Sequence, residues 1–155
     1  VIKAEIVDAD FHARFSAKKR WYEYKIINRR PPLTIDLNRA WCVHKNLDIE
    51  KMKVESSAFI GKHDLNAFRS AHCQSKNSIK TIDSISIINK DEQIIIEVSA
   101  KSFLHSQVRI MVGTLVDIAK DNINKTVLDI INSRQREIAG QTAPAQGLYL
   151  KKIEY

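Results

Sequence analysis

The pattern of apolar and polar residues between positions 103 and 120 predicts a helix that packs on a core. Apolar residues recur every three or four positions, as one stripe of a helix requires: Leu104, Val108, Met111, Leu115 and Ala119. Arg109 lies on the adjacent stripe, beside Val112 and Val116. A guanidinium keeps its charge and is costly to bury unpaired, so we expect an anion near it. Two interpretations stay open: the side chain reaches the surface or a structural carboxylate, or it points into a cleft at a catalytic carboxylate or a phosphate.

Alternation between apolar and polar positions predicts four β-strands. They cover residues 21–28, 79–88, 93–101 and, at the C-terminus, 148–155. In the first strand Tyr22, Tyr24 and Ile26 share one face, and Pro31-Pro32 follows as a stop signal. Residues 89–92 are polar and join the second and third strands, which predicts an antiparallel hairpin.

Two further helices are predicted from capping signals. Asp48 is a suitable N-cap for a helix that runs to about Phe59, and Gly61 is expected to end it. Another helix is predicted over about 125–132. The helix that carries Arg109 is expected to end near Lys120.

The remaining segments predict two loops and complete the expected architecture. Residues 62–78 are polar and irregular, and a long loop of this kind in a compact domain is more often functional than not. Residues 139–147 are mostly small. Strands and helices interleave around an antiparallel hairpin, so we predict an α+β fold: a mainly antiparallel β-sheet with helices packed against it, in a single domain over 1–155.

Composition narrows the class of protein. The 155 residues are 44% hydrophobic and 28% charged, which is typical of a globular domain, and no apolar run is long enough to span a membrane. Only two cysteines occur, Cys42 and Cys73, so a reduced cytoplasmic protein is the default expectation. The five histidines are scattered, so no metal is expected. The N-terminus has neither a methionine nor a signal-peptide pattern, and we interpret it as the interior of a longer chain.

The charge distribution indicates a polyanionic partner. The formal net charge is +7, and between positions 14 and 30 seven cations oppose a single acid, Glu23. The cations are Arg14, Lys18, Lys19, Arg20, Lys25, Arg29 and Arg30. The interleaved aromatic residues are Phe15, Trp21, Tyr22 and Tyr24. Cations for phosphates beside flat rings for unstacked bases suit RNA, although a solvated basic strand with core aromatics has the same pattern.

Four stretches, taken in order, resemble one family. They are Asp10-Phe11-His12-Ala13-Arg14-Phe15-Ser16-Ala17 with Tyr22 and Tyr24, Phe68-Arg69-Ser70 within 64–75, Phe103-Leu104 before Val108-Arg109 and Val112-Gly113, and Ala139-Gly140 with Thr142-Ala143-Pro144-Ala145, Gly147-Leu148 and Leu150. Their order and spacing resemble the C-terminal half of the TruA-type tRNA pseudouridine synthases. The similarity covers nearly the whole chain.

The resemblance implies a reaction on RNA. In this family, uridines at positions 38–40 of the tRNA anticodon arm are isomerised to pseudouridine, without a metal or an organic cofactor. An aspartate attacks the flipped-out nucleotide, the glycosidic bond breaks, and the base rejoins through carbon. The resemblance also implies a homodimer in which tRNA crosses both subunits.

The resemblance also assigns expected roles to individual residues. Tyr22 matches the tyrosine that packs on the target base, Arg109 the basic residue that pairs with the catalytic aspartate, and Leu148 an apolar contact of the pocket. The chain departs from the family at Gln107 and Ser106, where methionine and often histidine occur, and we expect neither to touch the arginine. The expected RNA-binding residues are Arg14, Lys18, Lys19, Arg20 and Arg69.

The family's nucleophile lies in a Gly-Arg-Thr-Asp motif, which does not occur in this sequence. Neither Asp10 nor Asp64 matches it. We therefore expect a C-terminal domain that lacks the catalytic-aspartate domain, is inactive alone and supplies one wall of the site. The alternatives are a stand-alone RNA-binding module without catalysis, and a structural dimerisation domain whose basic charge serves solubility; only the latter predicts no salt-dependent RNA affinity.

Overall fold

The computed structural model describes residues 4–155, so the interpretation of the extreme N-terminus as the interior of a longer chain falls partly outside the described residues. Within them the chain forms six strands and three α-helices. In chain order these are β1 (Lys19–Asn28), β2 (Trp41–Val43), α1 (Ile49–Ser57), β3 (Gly61–Asp64), β4 (Ile79–Lys90), β5 (Gln93–Ala100), α2 (Gln107–Ala119), α3 (Val127–Ser133) and β6 (Leu148–Glu154).

The six strands form one sheet that is antiparallel except at one pairing. The order is β2-β1-β5-β4-β3, and β6 also pairs with β1. Because β5 pairs with β1 over nearly its whole length, β6 and β2 share the opposite edge: β6 pairs with the first half of β1, and β2 runs parallel to its last three residues. This sheet, with its helices, confirms the predicted α+β fold.

The hydrophobic core lies between one face of the sheet and the helices. It combines apolar side chains of β1, β4 and β5 with those of α1, α2 and α3. The predicted stripe Leu104, Val108, Met111, Leu115 and Ala119 is buried throughout, as the helical spacing requires. Twelve of the thirteen residues of α2 are buried, and Arg109 is the single exception. The helix is therefore a core element that presents one charged side chain at its N-terminal end.

Helix starts follow the capping residues. The Asp48 side chain accepts a hydrogen bond from the Lys51 backbone N–H at 2.9 Å, as predicted for an N-cap. The predicted helix over 125–132 begins later, at Val127, because Thr126 and Asp129 form a reciprocal capping box.

Among residues 4–155, no helix is both long and apolar enough to cross a bilayer.

Two predictions for the segment after α1 are wrong. The helix itself ends at Ser57, close to the predicted end, and Phe59 packs edge-on against Phe68 at 4.9 Å between ring centroids. Gly61 does not end a helix; with φ at 106° it opens strand β3. Residues 62–78 are not all loop, since β3 continues through Asp64 and Phe68 is fully buried.

Candidate functional site

Arg109 is held at the start of α2 by a two-way contact with Ala143. Its Nε–H donates to the Ala143 carbonyl at 2.6 Å, and the Ala143 N–H donates to the Arg109 carbonyl at 3.1 Å. This fixes the plane of the guanidinium through one nitrogen. Within the part of the chain that the structure describes, its two terminal nitrogens make no hydrogen bond or ion pair, and they are not among the buried unpaired polar atoms. The charged end of Arg109 is therefore free to bind an anion from outside residues 4–155.

The segment that receives Arg109 lies directly on α2. A Cβ added to Gly113 would come within 1.8 Å of the Gln141 carbonyl oxygen, so only glycine allows this approach. A Cβ added to Gly147 would lie 2.6 Å from the Tyr24 ring. Gly113 of α2 and Gly147 of the predicted 139–147 loop are thus explained by close packing rather than by a need for conformational freedom.

Tyr24 fixes the same segment from the sheet. Its side chain is fully buried, and its hydroxyl donates to the Pro144 carbonyl at 2.6 Å. Burial raises the pKa of Tyr24 above its ordinary value, an effect that the nearby positive charge of Arg109 partly opposes. The hydroxyl therefore stays protonated and acts as a hydrogen-bond donor. Adjacent carbonyls, those of Ala143 and Pro144, thus anchor to α2 and β1 respectively.

Tyr22 lies two residues earlier on the same face of β1, at the rim of the core. It is half-buried and meets the Phe103 ring edge-to-face, with centroids 5.3 Å apart. Its backbone pairs with Leu150 of β6 on one side and Val98 of β5 on the other. A rigid strand and an aromatic neighbour thus restrict the ring, while part of it remains accessible.

Two leucines of β6 extend this apolar rim. Leu148 is half-buried, pairs with Tyr24 and packs against the core, whereas Leu150 is 51% exposed opposite Tyr22. Leu148 is a predicted site residue, whereas Leu150, Phe103 and Tyr24 are not among the predicted site residues. The Tyr22-x-Tyr24 spacing was a usable signal for Tyr24, since period two places both side chains on one face.

The five predicted RNA-binding residues are not all alike. Arg14 and Lys18 are exposed. The Arg20 guanidinium donates to the carbonyls of Lys101 and Arg14, and Arg69 donates to the Cys73 carbonyl at 2.9 Å. Both arginines therefore hold loops in place.

Lys19 has different surroundings. It lies on the opposite face of β1 from Tyr22, where it pairs with Asp83 at 3.0 Å. It also lies over the Trp21 ring, and Lys152 stacks on the same ring.

The two departures from the family pattern are accommodated in the turn before α2. Ser106 precedes the helix in a left-handed conformation, with φ at 60°. The Gln107 side chain is buried, accepts from the Leu104 N–H at 2.7 Å and contacts the Met111 sulfur. Neither side chain hydrogen-bonds to Arg109.

No group of three or more His, Cys, Asp or Glu side chains among residues 4–155 is arranged to hold a metal ion.

The pKa of the buried Cys73 thiol, beside Arg69, is lowered from its ordinary value. Burial alone would raise that pKa, but N–H donors, chiefly of His105, and the Arg69 charge outweigh it, so the pKa is lowered. A buried thiol with these partners packs the loop against the turn before α2.

Comparison with known proteins gives a consistent family. A sequence profile described as tRNA pseudouridine synthase matches residues 56–155. The tRNA pseudouridine synthases A of Ehrlichia chaffeensis and Anaplasma phagocytophilum are each 53% identical to this chain over 156 residues, and that of Wolbachia pipientis wMel is 51% identical. The alignments cover all of this chain and 63–64% of those relatives, so the chain spans less than two thirds of their length. The chain belongs to the tRNA pseudouridine synthase family.

Proposed function

We propose that residues 1–155 are the C-terminal domain of an enzyme that isomerises uridine to pseudouridine at positions 38–40 of the tRNA anticodon arm. The relatives that this chain matches are named tRNA pseudouridine synthase A. The sequence contains no Gly-Arg-Thr-Asp motif. The catalytic aspartate therefore comes from another domain, and this domain is inactive alone.

The unpaired end of Arg109 is the observation that supports this proposal most strongly. A helix that is otherwise buried presents one guanidinium, oriented through its Nε by the Ala143 carbonyl. Its terminal nitrogens have no partner among the described residues 4–155. Such a fork suits a carboxylate, because two parallel N–H donors match its two oxygens. Arg109 would keep the aspartate ionised and aimed, as a nucleophile requires.

The apolar rim formed by Tyr22, Leu148 and Leu150 would receive the flipped base. Tyr22 offers a flat ring held by Phe103, and base–aromatic stacking is sequence-tolerant and worth about 1–3 kcal/mol. Leu148 and the more exposed Leu150 would close the pocket from β6. A uracil that leaves the helical stack would thus exchange base stacking for these contacts.

The reaction conserves all atoms of the nucleoside. The bond between N1 and C1′ breaks, a bond between C5 and C1′ forms, C5 loses its proton and N1 gains one. Neither an oxidant nor a metal is needed for this balance, so we propose that no cofactor takes part. The small number of cysteines supports a proposed cytoplasmic location. From the family resemblance we further propose a homodimer in which tRNA crosses both subunits.

Loss of the C5 proton gives a direct assay. The complete reading frame that encodes this chain is expressed and incubated with tRNA transcribed with uridine tritiated at C5, with a chelator present. Tritium release that disappears when positions 38–40 carry cytidine supports the proposal, provided that the 155-residue chain alone releases none. Salt-dependent tRNA binding by the complete protein without release would make it an RNA-binding module. A protein that does neither would be a structural domain.

A further inference from the structure

A buried carboxylate, Asp117, contacts the loop segment that carries the Ala143 carbonyl. The proposed mechanism does not use this carboxylate. Asp117 lies on α2 two turns after Arg109 and is only 8% exposed. Its Oδ2 accepts the Gln141 backbone N–H at 3.0 Å, and its Oδ1 accepts the Gln141 side-chain amide at 3.1 Å. No ion pair of residues 4–155 involves Asp117. A buried charge without a cation is costly, so these two hydrogen bonds are its compensation.

These bonds lead to Arg109 through a short stretch of backbone. The Gly140 N–H donates to the Thr114 hydroxyl at 2.9 Å, next to the Asp117–Gln141 contact. Two residues after Gln141, the Ala143 carbonyl accepts the Nε–H of Arg109. Residues 140–141 therefore hold one side of the segment that carries the Ala143 carbonyl, and the Tyr24–Pro144 bond holds the other side.

We propose that Asp117 is a positioning residue of the active site, which fixes residues 140–143 on α2 through Gln141 so that the Ala143 carbonyl orients Arg109. The inference rests on the proposed function for its catalytic consequence. The geometric part, a coupling between Asp117 and the Arg109 side chain, can be measured without any catalysis.

The chemistry of the contact suggests a reciprocal exchange. Asp117→Asn is nearly isosteric, and rotation of the exposed Gln141 side-chain amide lets its oxygen accept from the new NH₂, so this variant removes the charge and keeps both bonds. Gln141→Glu alone places two carboxylates together. In the double variant Asp117→Asn/Gln141→Glu the new amide donates to the new carboxylate, while its oxygen still accepts the backbone N–H of position 141. The side-chain bond is restored with its direction reversed.

The first measurement is steady-state tritium release by the complete enzyme. We expect Gln141→Glu to lower kcat by about tenfold or more, as misplaced catalytic groups do, with KM for tRNA within about threefold. Asp117→Asn, which keeps both bonds, should stay within about threefold of the original kcat, and the double variant should recover most of the loss. Ile130→Val is the control, because it trims a buried side chain of α3 and should lower thermal stability without changing kcat. Unchanged kcat in Gln141→Glu, or no recovery in the double variant, would overturn the inference.

The second measurement uses the 155-residue chain and the NMR signal of the Arg109 Nε–H. Its exchange with solvent should speed up by about tenfold in Gln141→Glu and return towards the original rate in the double variant, since the bond to Ala143 protects it. Equal exchange in all four proteins would overturn the coupling. An inactive wild-type enzyme would refute the proposed function instead, and the exchange rates would still decide whether Asp117 positions Arg109.

Discussion

Arg109 and Ala143 hold each other through two hydrogen bonds, one from the guanidinium Nε–H to the Ala143 carbonyl at 2.6 Å and one from the Ala143 N–H to the Arg109 carbonyl at 3.1 Å. The contact joins the first turn of a buried helix to a loop 34 residues later. It uses one edge of the guanidinium and leaves the other for an anion. We therefore propose that Arg109 is oriented by its own domain and forms its ion pair with a group outside residues 4–155.

Substitutions of Tyr22 should separate the contribution of its aromatic ring to activity from that of its hydroxyl. In the complete enzyme, Tyr22→Phe keeps the aromatic face and its contact with Phe103, so it should lose only steps that use the hydroxyl. Tyr22→Leu removes the stacking surface as well and should lower kcat/KM further, by about 10-fold or more if stacking is worth 1–3 kcal/mol. Tritium-release kinetics measure both. Near-normal activity in both variants would return Tyr22 to a packing role.

The contribution of Tyr24 to the free energy of unfolding should decrease at alkaline pH. Because burial raises its pKa above the unfolded value of about 10, its contribution to stability is complete below that pH and is lost as the pH rises above it. Tyr24→Phe should cost about 1 kcal/mol at pH 7 by losing the bond to Pro144, and its unfolding free energy should fall less steeply above pH 10. Urea unfolding between pH 7 and pH 11 checks both. Parallel pH profiles for the two proteins would contradict the assignment.

The salt dependence of tRNA binding should distinguish the basic residues by their contacts. Lys18 is exposed, so Lys18→Ala should weaken binding while leaving unfolding unchanged, and it should reduce the slope of log affinity against log salt by about 1 if one phosphate contact is lost. Arg69→Ala removes a bond to the Cys73 carbonyl and should lower stability. Filter binding at several salt concentrations, with thermal melts, tests the pair. A salt slope unchanged in Lys18→Ala would exclude it from the phosphate contacts.

Much of the fold follows from local patterns in the sequence. The α2 stripe and the β4–β5 hairpin have strong periodicities, because each element has one buried face. β2 has only three residues, too few for alternation to be detected, and it is positioned by its pairing with β1. β3 is a short edge strand within a polar segment, so its sequence resembles a loop.

The candidate site was predictable only in part. Arg109 is conspicuous because a permanently charged side chain within an apolar helix needs an anion or an exit to solvent. Alternation places Tyr22 on one face with Tyr24 and Ile26, but only the family resemblance assigns Tyr22 to the site. The proposed roles of Asp117 and Tyr24 depend on contacts with one loop that is distant in sequence. Asp117 contacts Gln141, 24 residues away, and Tyr24 contacts Pro144, 120 residues away. No local pattern reports such contacts, since the partners are backbone groups common to every residue.

The proposed role of Arg109 in orienting the catalytic aspartate is tested most directly by the Arg109→Ala variant of the complete enzyme, in which catalysis and tRNA binding are compared. If Arg109 orients the catalytic aspartate, kcat should fall by about 10²–10³-fold while the Kd for tRNA changes by less than about threefold. Arg39→Ala, which removes an exposed arginine outside the site, is the matched control and should leave both unchanged. Equal losses of kcat/KM and tRNA affinity in Arg109→Ala would contradict this orienting role and would indicate that Arg109 contacts a phosphate.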